Sequence, residues 1–169
     1  MEKLKSIDYK ILSALMKNSK ISDRQLAKEI GVSQPTVTRR RARLEREAID
    51  GYTTVPKWAK LGYEILAFTF VKGNQSLFAL NPNHEAALER GTKWAMKQPN
   101  VLMGGGSRGM SMNGFFVSVH KSYADFDRFL SEHKSELGDM FTEVESVIVN
   151  LGGEEIVKPL HLKYLAEAK

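Results

Sequence analysis

The stretch that decides the fold spans residues 22–47 and reads SDRQLAKEIGVSQPTVTRRRARLERE. Ser22 and the glutamine three residues later have the spacing of a capping box, which predicts that a helix begins here. That helix is predicted to end at Gly31, because glycine suits the left-handed conformation of a helix C-terminus. Ser33 is predicted to cap a second helix, with Pro35 in its first turn, where a missing backbone donor costs little. Two helices joined by a glycine-containing turn predict a helix-turn-helix unit.

The second of these helices has a strongly basic outer face. At about 100° per residue from the apolar Val37, the side opposite the core contains hydroxyl, small and arginine side chains but no acid. A merely solvated helix usually mixes both charge signs, and arginine can bind guanine or phosphate through paired hydrogen bonds. The pattern therefore predicts that this helix enters the major groove of double-stranded DNA. The predicted DNA-binding residues are Gln34, Thr36, Thr38, Arg39, Arg40, Arg43 and Arg46.

One arginine of this helix breaks the pattern. Arg41 lies between Val37 and Leu44 on the apolar stripe that is predicted to face the core. Its aliphatic stem can cover the core while its guanidinium reaches either an acidic side chain or a phosphate. The sequence leaves both partners of Arg41 open.

The elements around the helix-turn-helix complete a first domain. Ser6 is predicted to cap a first helix, in which apolar residues recur at helical spacing. After the basic helix, Asp50-Gly51 predicts a turn, and the β-branched residues that follow up to Val55 predict a wing strand. The predicted domains are residues 1–55, a winged helix-turn-helix; residues 56–62, a linker with a helical turn; and residues 63–169.

The charge of the chain is unevenly distributed. Residues 1–62 contain 14 Lys and Arg against 7 Asp and Glu, whereas residues 63–169 contain 11 against 13. This asymmetry indicates a polyanion-binding module joined to a module with another task.

The composition excludes several classes of site. The absence of cysteine excludes disulfides, thiol nucleophiles and cysteine-ligated metal centres. No run approaches the ~18 apolar residues of a membrane span, and the first five residues lack the apolar core of a signal peptide. We therefore expect a cytoplasmic protein. The 4 histidines have no metal-binding spacing and no catalytic arrangement stands out, so no metal, cofactor or catalytic residue is predicted.

Residues 63–169 predict the element order βαββαβ of a ferredoxin-like split unit, which makes the whole chain an α+β protein. Asn81-Pro82-Asn83 is predicted to introduce the first helix and Ser122 to cap the second. Asn113-Gly114 predicts the hairpin turn between the second and third strands. The glycine-rich residues 104–109 are predicted to form a flexible connection rather than a phosphate cradle, because they open no helix. The tail, residues 154–164, predicts an additional edge strand.

The N-terminal sequence resembles that of the Lrp/AsnC family of transcriptional regulators. The resemblance is close over about the first sixty residues and then extends to element order only. Ala48 and Arg41 depart from the family pattern, which usually has glycine and an apolar residue at these positions. The matching residues are Asp8-x-x-Ile11-Leu12, Ile21-Ser22, Leu26-Ala27, Gly31-Val32-Ser33, Val37, Arg40, Leu44-Glu45, Ile49, Gly51-Tyr52 and Lys60-Leu61-Gly62-Tyr63.

The resemblance implies a second domain that senses ligands and forms oligomers. In this family two sheets pair into a dimer, dimers assemble further into tetramers or octamers, and amino-acid effectors bind near the turn between the second and third strands. Met112 stands where the family usually has an aspartate that can meet an ammonium group. Arg108 is the residue that would bind the carboxylate of such a ligand. The effector-binding residues that the resemblance implies are Gly106, Arg108, Gly109, Met110 and Met112.

Three functions from different classes fit the sequence. The leading hypothesis is a sequence-specific DNA-binding transcriptional regulator that acts as a dimer or higher oligomer and responds to a small-molecule effector. The alternative is an enzyme on the same architecture, because siroheme decarboxylases also resemble Lrp/AsnC proteins. The third is a ligand sensor that acts through partner proteins. The arginine cluster that begins at Arg39 favours the regulator, because neither rival needs it.

Overall fold

The computed structural model describes residues 3–74, 84–153 and 156–166. The chain divides into two compact units, residues 1–55 together with 158–169, and residues 56–157. The sequence analysis assigns the C-terminal tail to the second domain, whereas packing groups it with the first. The reason is that the tail lies against the first helix, where the Ser13 hydroxyl donates to the Ala166 carbonyl at 3.0 Å.

The first unit contains three helices, α1 (Ser6–Lys17), α2 (Asp23–Ile30) and α3 (Gln34–Glu47). The predicted capping box is confirmed, because the Ser22 hydroxyl accepts from the backbone of Gln25 at 3.2 Å. Gly31 ends α2 in the left-handed region with φ 79°. The core buries Ile11, Leu15, Ile21, Leu26, Ala27, Val37 and Leu44.

Two predicted caps differ from the structure in detail. α1 begins one residue earlier than a Ser6 cap requires: Lys5 is the cap residue, and its backbone N–H donates to the Asp8 carboxylate at 2.8 Å. Ser33 does occupy the cap position of α3, but its hydroxyl pairs with the Thr36 hydroxyl at 2.8 Å instead of with the backbone. In both cases a neighbouring polar side chain competes with the expected hydroxyl cap.

The predicted wing strand at residues 52–55 is wrong. Residues 49–57 contain no strand, and a single 3-10 turn, Trp58–Leu61, follows them. β-branched residues favour a strand only where a second strand supplies the ladder hydrogen bonds. No strand is described in the first unit, so residues 52–55 have no pairing partner there.

The second unit is a four-stranded antiparallel sheet with two helices. Its sheet order is β2-β3-β1-β4, with β1 in the middle paired to β3 and β4, which confirms the ferredoxin-like prediction. The predicted start of its first helix, residues 81–83, lies outside the described residues. The elements are β1 (Ile65–Gly73), α4 (His84–Lys97), β2 (Val101–Gly109), β3 (Met112–His120), α5 (Tyr123–Leu137) and β4 (Phe141–Asn150).

The hairpin between β2 and β3 turns earlier than predicted. Its two turn residues are Met110 and Ser111, both at positive φ (51° and 59°), and the glycine-rich residues before them belong to β2. Gly114 instead lies within β3, where an added Cβ would be 2.8 Å from Val71 Cγ2. That glycine is therefore required by close packing across the sheet and not by a turn.

The tail also differs from its prediction. The described residues 156–166 contain no strand, and only one 3-10 turn, Leu162–Tyr164, is formed there. The predicted edge strand is therefore absent from the described part of the tail. Pro159 lacks a backbone donor and interrupts any ladder that this segment could extend.

The two faces of the sheet have different surroundings. Along β1, Ile65, Ala67, Thr69 and Val71 are buried on one face. The residues that alternate with them form an opposite face that is mostly apolar and partly exposed, with the charged Lys72 and Glu145 at one end; Val147 on β4, for example, is 58% exposed. This open face, defined by Leu66, Phe68, Phe70, Phe115, Val117, Val147 and Val149, is called the open sheet face below.

Candidate nucleic-acid interface

One side of α3 carries a row of polar and basic side chains, of which Arg39 and Arg46 are exposed and Thr36 and Arg43 are half-buried. Thr36, Arg39, Arg43 and Arg46 are spaced three or four residues apart and therefore lie on one side of the helix. We call these four residues the basic stripe. Arg39 is exposed and has no hydrogen bond or ion pair within the described residues. Gln34, also exposed, lies in the first turn of the same helix.

An acidic residue lies at the C-terminal end of the basic stripe. The Glu47 carboxylate accepts from Arg43 Nε at 3.0 Å and from Arg46 Nη2 at 3.1 Å. These hydrogen bonds from Arg43 and Arg46 hold the pKa of Glu47 below its ordinary value. Arg46 remains 70% exposed. The sequence pattern predicts an outer face of this helix without acid, whereas the structure places Glu47 against two predicted DNA contacts, which it partly neutralises.

Thr38 occupies a different position from the basic stripe. Its hydroxyl donates to Asp23 Oδ2 at 2.7 Å, which joins α3 to the first residue of α2. The hydroxyl donor that the sequence analysis assigns to DNA is therefore already used within the unit. This contact of Asp23 was not predicted from the sequence, because its partner lies fifteen positions along the chain.

Arg40 faces the interior of the three-helix unit. Its Nη1 lies 2.9 Å from Asp8 Oδ1, and the Asp8 side chain is only 1% exposed. Burial raises the pKa of Asp8, but the hydrogen bonds from Lys5 and Arg40 outweigh it and bring the pKa below its ordinary value. The sequence contained a signal for this pair, because Asp8 shares the buried face of α1 with Ile11 and a buried carboxylate needs a cationic partner.

The predicted effector residues lie at one end of the hairpin between β2 and β3. Three of them lie at the end of β2, next to the turn: Gly106, Arg108 and Gly109. Met110 lies in the exposed turn itself. Met112, by contrast, is buried at the start of β3. The structure therefore brings four of the five residues to one surface and directs the fifth inward.

A buried polar cluster lies under the sheet. His120 Nε2 is 2.8 Å from the Ser118 hydroxyl, and its Nδ1 is 3.3 Å from Asn100 Nδ2 and 3.9 Å from Asp125 Oδ2. Burial lowers the pKa of His120, and the nearby Asp125 charge opposes this only partly. Ser118 and His120 are both fully buried, so this serine–histidine–aspartate arrangement has no surface that a substrate could reach.

Two classes of feature are absent from residues 3–74, 84–153 and 156–166. Within these ranges no helix combines the length and the apolarity that crossing a membrane requires. No group of three or more histidine or acidic side chains is placed to hold a metal ion there.

The sequence matches helix-turn-helix proteins over the first unit. A model of the AsnC-type helix-turn-helix domain matches residues 4–45. An uncharacterized HTH-type transcriptional regulator of Pyrococcus abyssi is 37% identical over 70 residues, which cover 41% of this chain and 48% of that protein. The match to this relative, and to another from Pyrococcus furiosus (45%), thus spans about half of their length.

Longer matches extend over both units. The leucine-responsive regulatory protein of Rhizobium meliloti is 31% identical over 130 residues, covering 76% of this chain and 78% of that protein. A Neisseria meningitidis transcriptional regulator, solved in complex with L-Met, superposes with TM-score 0.77 at 20% identity over 96% of this chain and 99% of that one. Escherichia coli AsnC gives TM-score 0.71 at 20% identity, covering 94% and 98%. These matches show that the chain belongs to the Lrp/AsnC family of transcriptional regulators.

Proposed function

We propose that this chain is a sequence-specific DNA-binding transcriptional regulator that places α3 in the major groove of double-stranded DNA. The observation that carries this proposal is the basic stripe, which lies on the exposed side of the second helix of a helix-turn-helix unit. Major-groove readout needs an exposed helix face with arginine and amide side chains that can reach base edges. Because its proposed partner is DNA, we propose that the protein acts in the cytoplasm.

The contacts support two different roles for the residues predicted to bind DNA, namely contact with DNA and positioning of α3. Arg39, Arg43 and Arg46, with Gln34 and Thr36, have side chains that reach the surface of α3 and are proposed to contact bases and phosphates. Arg40 and Thr38 are instead engaged with Asp8 and Asp23. We propose that these two residues hold α3 in place and do not touch DNA.

We further propose that the protein acts as a homodimer or a larger assembly of its own chain. One recognition helix buries too little surface for tight and specific binding, so two copies on one palindromic site are expected. The open sheet face is apolar and is broad enough, across three neighbouring strands, to pair with the same face of a second copy.

The effector proposal rests on the hairpin between β2 and β3. Met110 and Ser111 both have positive φ, as the central residues of a two-residue hairpin turn do, and both are exposed at the end of the hairpin. The exposed Arg108 beside this turn can bind a carboxylate. The Neisseria regulator with this fold is complexed with L-Met. We propose a small-molecule effector here that carries a carboxylate and is bound without help from an aspartate at position 112.

The experiment that tests the proposed function is selection of bound duplexes from random DNA by the purified protein. We expect near-palindromic sites with half-sites about one helical turn apart, and affinity that falls steeply with salt, because several arginines neutralise phosphates. Sedimentation of the same sample should show a dimer or larger species. Failure to enrich any sequence contradicts the proposal, and a purified protein with a Soret absorption band would favour the enzyme alternative.

A further inference from the structure

Arg41, the arginine whose partner the sequence left open, is bound entirely by its own chain. Its Nε lies 3.0 Å from Glu45 Oε1, and its Nη1 lies 3.0 Å from the Ile21 carbonyl and 3.2 Å from Asp23 Oδ1. Nη2 reaches the Ser19 carbonyl at 3.5 Å. The side chain is 18% exposed. All three guanidinium nitrogens are therefore engaged, and they join α3 to the loop before α2 and to the start of α2.

Tyr52 extends this network to the segment that leaves α3. Its hydroxyl donates to Glu45 Oε1 at 2.7 Å, and its ring centroid lies 5.5 Å from the guanidinium carbon of Arg41. The hydrogen bonds from Tyr52 and Arg41 hold the pKa of Glu45 below its ordinary value. Asp23, Arg41, Glu45 and Tyr52 form one connected group, which we call the polar clasp.

Asp23 binds α3 at two points. Its Oδ1 accepts from Arg41 and its Oδ2 accepts from Thr38, three residues earlier on the same side of the helix. Two directional bonds from one carboxylate to two successive turns restrict both the rotation and the sliding of α3 against α2. Apolar packing is non-directional and restricts these motions less, so an apolar residue in place of Arg41 would fill the core without fixing the helix.

We propose that Asp23 and Arg41 are positioning residues of the DNA interface: the polar clasp sets the orientation from which the basic stripe meets the bases, and it does not itself touch DNA. This inference rests on the proposed function. The competing role for Arg41 is a phosphate contact, which would require its guanidinium to give up carboxylate and carbonyl partners that it already holds at hydrogen-bond distance.

The two roles predict different behaviour of Arg41→Lys in the full-length protein. A lysine keeps the positive charge and remains a good phosphate ligand, but it lacks the planar fork that binds Glu45, Asp23 and the Ile21 carbonyl together. If Arg41 positions α3, Arg41→Lys should lose roughly tenfold in affinity for the selected operator, as expected when a residue is removed from a hydrogen-bonded network. Its affinity for unrelated duplexes should stay within about twofold of wild type, because non-specific binding depends on phosphate contacts.

The remaining variants separate the effect of the polar clasp on DNA binding from the effects of charge and of folding. Arg41→Met removes the charge while filling the apolar stripe, and Asp23→Asn keeps Arg41 but weakens its anchor. Both should lose operator affinity, and neither should change the slope of log K against log salt. Arg128→Met is the matched control, since Arg128 is an exposed arginine of α5 in the other unit. It should bind like wild type. Circular dichroism and thermal melting identify any variant that does not fold.

The results separate failure of this inference from failure of the proposed function. If wild type shows no sequence preference, the proposed function fails. If wild type is specific but Arg41→Lys binds the operator equally well, and Arg41→Met lowers the salt slope by about 0.9 per protomer, then Arg41 is a phosphate contact and the inference is overturned. Operator affinity equal to wild type in all three clasp variants also overturns it. If the Arg41 variants do not fold, the test is the operator affinity of Asp23→Asn: a loss relative to wild type supports the positioning role, and an affinity equal to wild type overturns it.

Discussion

Arg40 Nη1 and Asp8 Oδ1 lie 2.9 Å apart and join α3 to α1 inside the three-helix unit. The acid is almost fully buried, whereas the Arg40 side chain keeps 21% of its surface exposed. The partial exposure lowers the cost of desolvating the arginine, while Asp8 depends on this pair and on the Lys5 backbone donor for its charge. The orientation of α3 is therefore coupled to α1 by charge as well as by packing.

Replacing Asp8 with asparagine should destabilise the first unit. The change leaves the Arg40 guanidinium partly buried without its counter-charge, and breaking a buried pair in this way costs about 3 kcal/mol. Urea denaturation followed by far-UV circular dichroism measures the change in the free energy of unfolding. Asp50→Asn, at an exposed acid of the same unit, should change stability by no more than about 0.5 kcal/mol. Equal stability of the two variants would show that the pair contributes nothing.

Arg39→Ala should weaken operator binding while leaving the fold unchanged. The side chain is exposed and makes no hydrogen bond or ion pair within the described residues, so its loss removes no internal contact. Loss of one good base contact costs about 1–3 kcal/mol of binding free energy. A titration of labelled operator, followed by fluorescence anisotropy, measures this cost. Unchanged affinity would mean that α3 does not present this face to DNA.

Glu47→Gln should have the opposite effect on DNA binding. The substitution removes a carboxylate that lies 3.0 Å from Arg43 Nε and 3.1 Å from Arg46 Nη2. The negative charge that competes with phosphates for both arginines is then removed, and with it one source of repulsion toward DNA. We expect tighter binding to any duplex and a steeper salt dependence, with the gain largest at low salt. Glu29→Gln, at an exposed acid of α2, serves as the charge control. Binding by Glu47→Gln equal to that of wild type, at low as well as at high salt, would place the C-terminal end of α3 away from DNA.

The features predicted correctly from the sequence are those whose cause is local. Ser22 caps α2 through a residue three positions away, and Gly31 ends it through its own backbone conformation. The order of strands and helices follows in the same way from apolar periodicity and from the Ser122 cap, whose hydroxyl accepts from Asp125 at 3.2 Å. Such signals lie within one helical turn and need no knowledge of the rest of the fold.

Two contacts that the sequence did not predict join partners far apart along the chain. Asn113-Gly114 has the composition of a hairpin turn, but the Asn113 side chain accepts from the backbone of Gly73, forty residues earlier. Arg40 pairs with Asp8 across thirty-two positions, and this pair holds its guanidinium against α1. Neither partner can be read from spacing along one helix or strand, because strand register and helix packing bring them together.

Gly114→Ala should destabilise the second unit. An added Cβ would lie 2.8 Å from Val71 Cγ2, inside a core that also holds Phe116 and Phe129, so side chains or strands must shift. Overpacking of this kind costs about 1–3 kcal/mol. Gly105→Ala on the neighbouring strand is the matched control, because the nearest atom to its added Cβ is 3.9 Å away. Comparison of the two unfolding free energies tests the contact, and an equal effect of both substitutions would contradict it.

The stability of the second unit should fall as the pH drops below about 6.5, which is the ordinary pKa of a histidine side chain. His133 is buried, with its ring 5.0 Å from that of Trp94 and stacked 5.3 Å from that of Phe141, and burial lowers its pKa. The unfolded chain therefore takes up a proton at a higher pH than the folded chain. The neutral His133 ring contributes fully to the stability of the unit at pH values above the pKa of histidine in the unfolded chain. As the pH falls below that pKa, this contribution is lost by at most about 1.4 kcal/mol per pH unit. His120 acts in the same direction.

His133→Phe should reduce this dependence on pH, because phenylalanine keeps an aromatic ring against Trp94 and cannot be protonated. The comparison uses the slope of unfolding free energy against pH between 7.5 and 5 (roughly the range over which histidine titrates), so a constant cost of repacking the larger ring cancels. The control is His161→Gln, which changes a histidine of the C-terminal tail, outside this core. It should keep the wild-type slope. A slope in His133→Phe equal to that of wild type would show that His133 takes up protons equally in the folded and the unfolded chain over this range, and the acid sensitivity would then belong to His120.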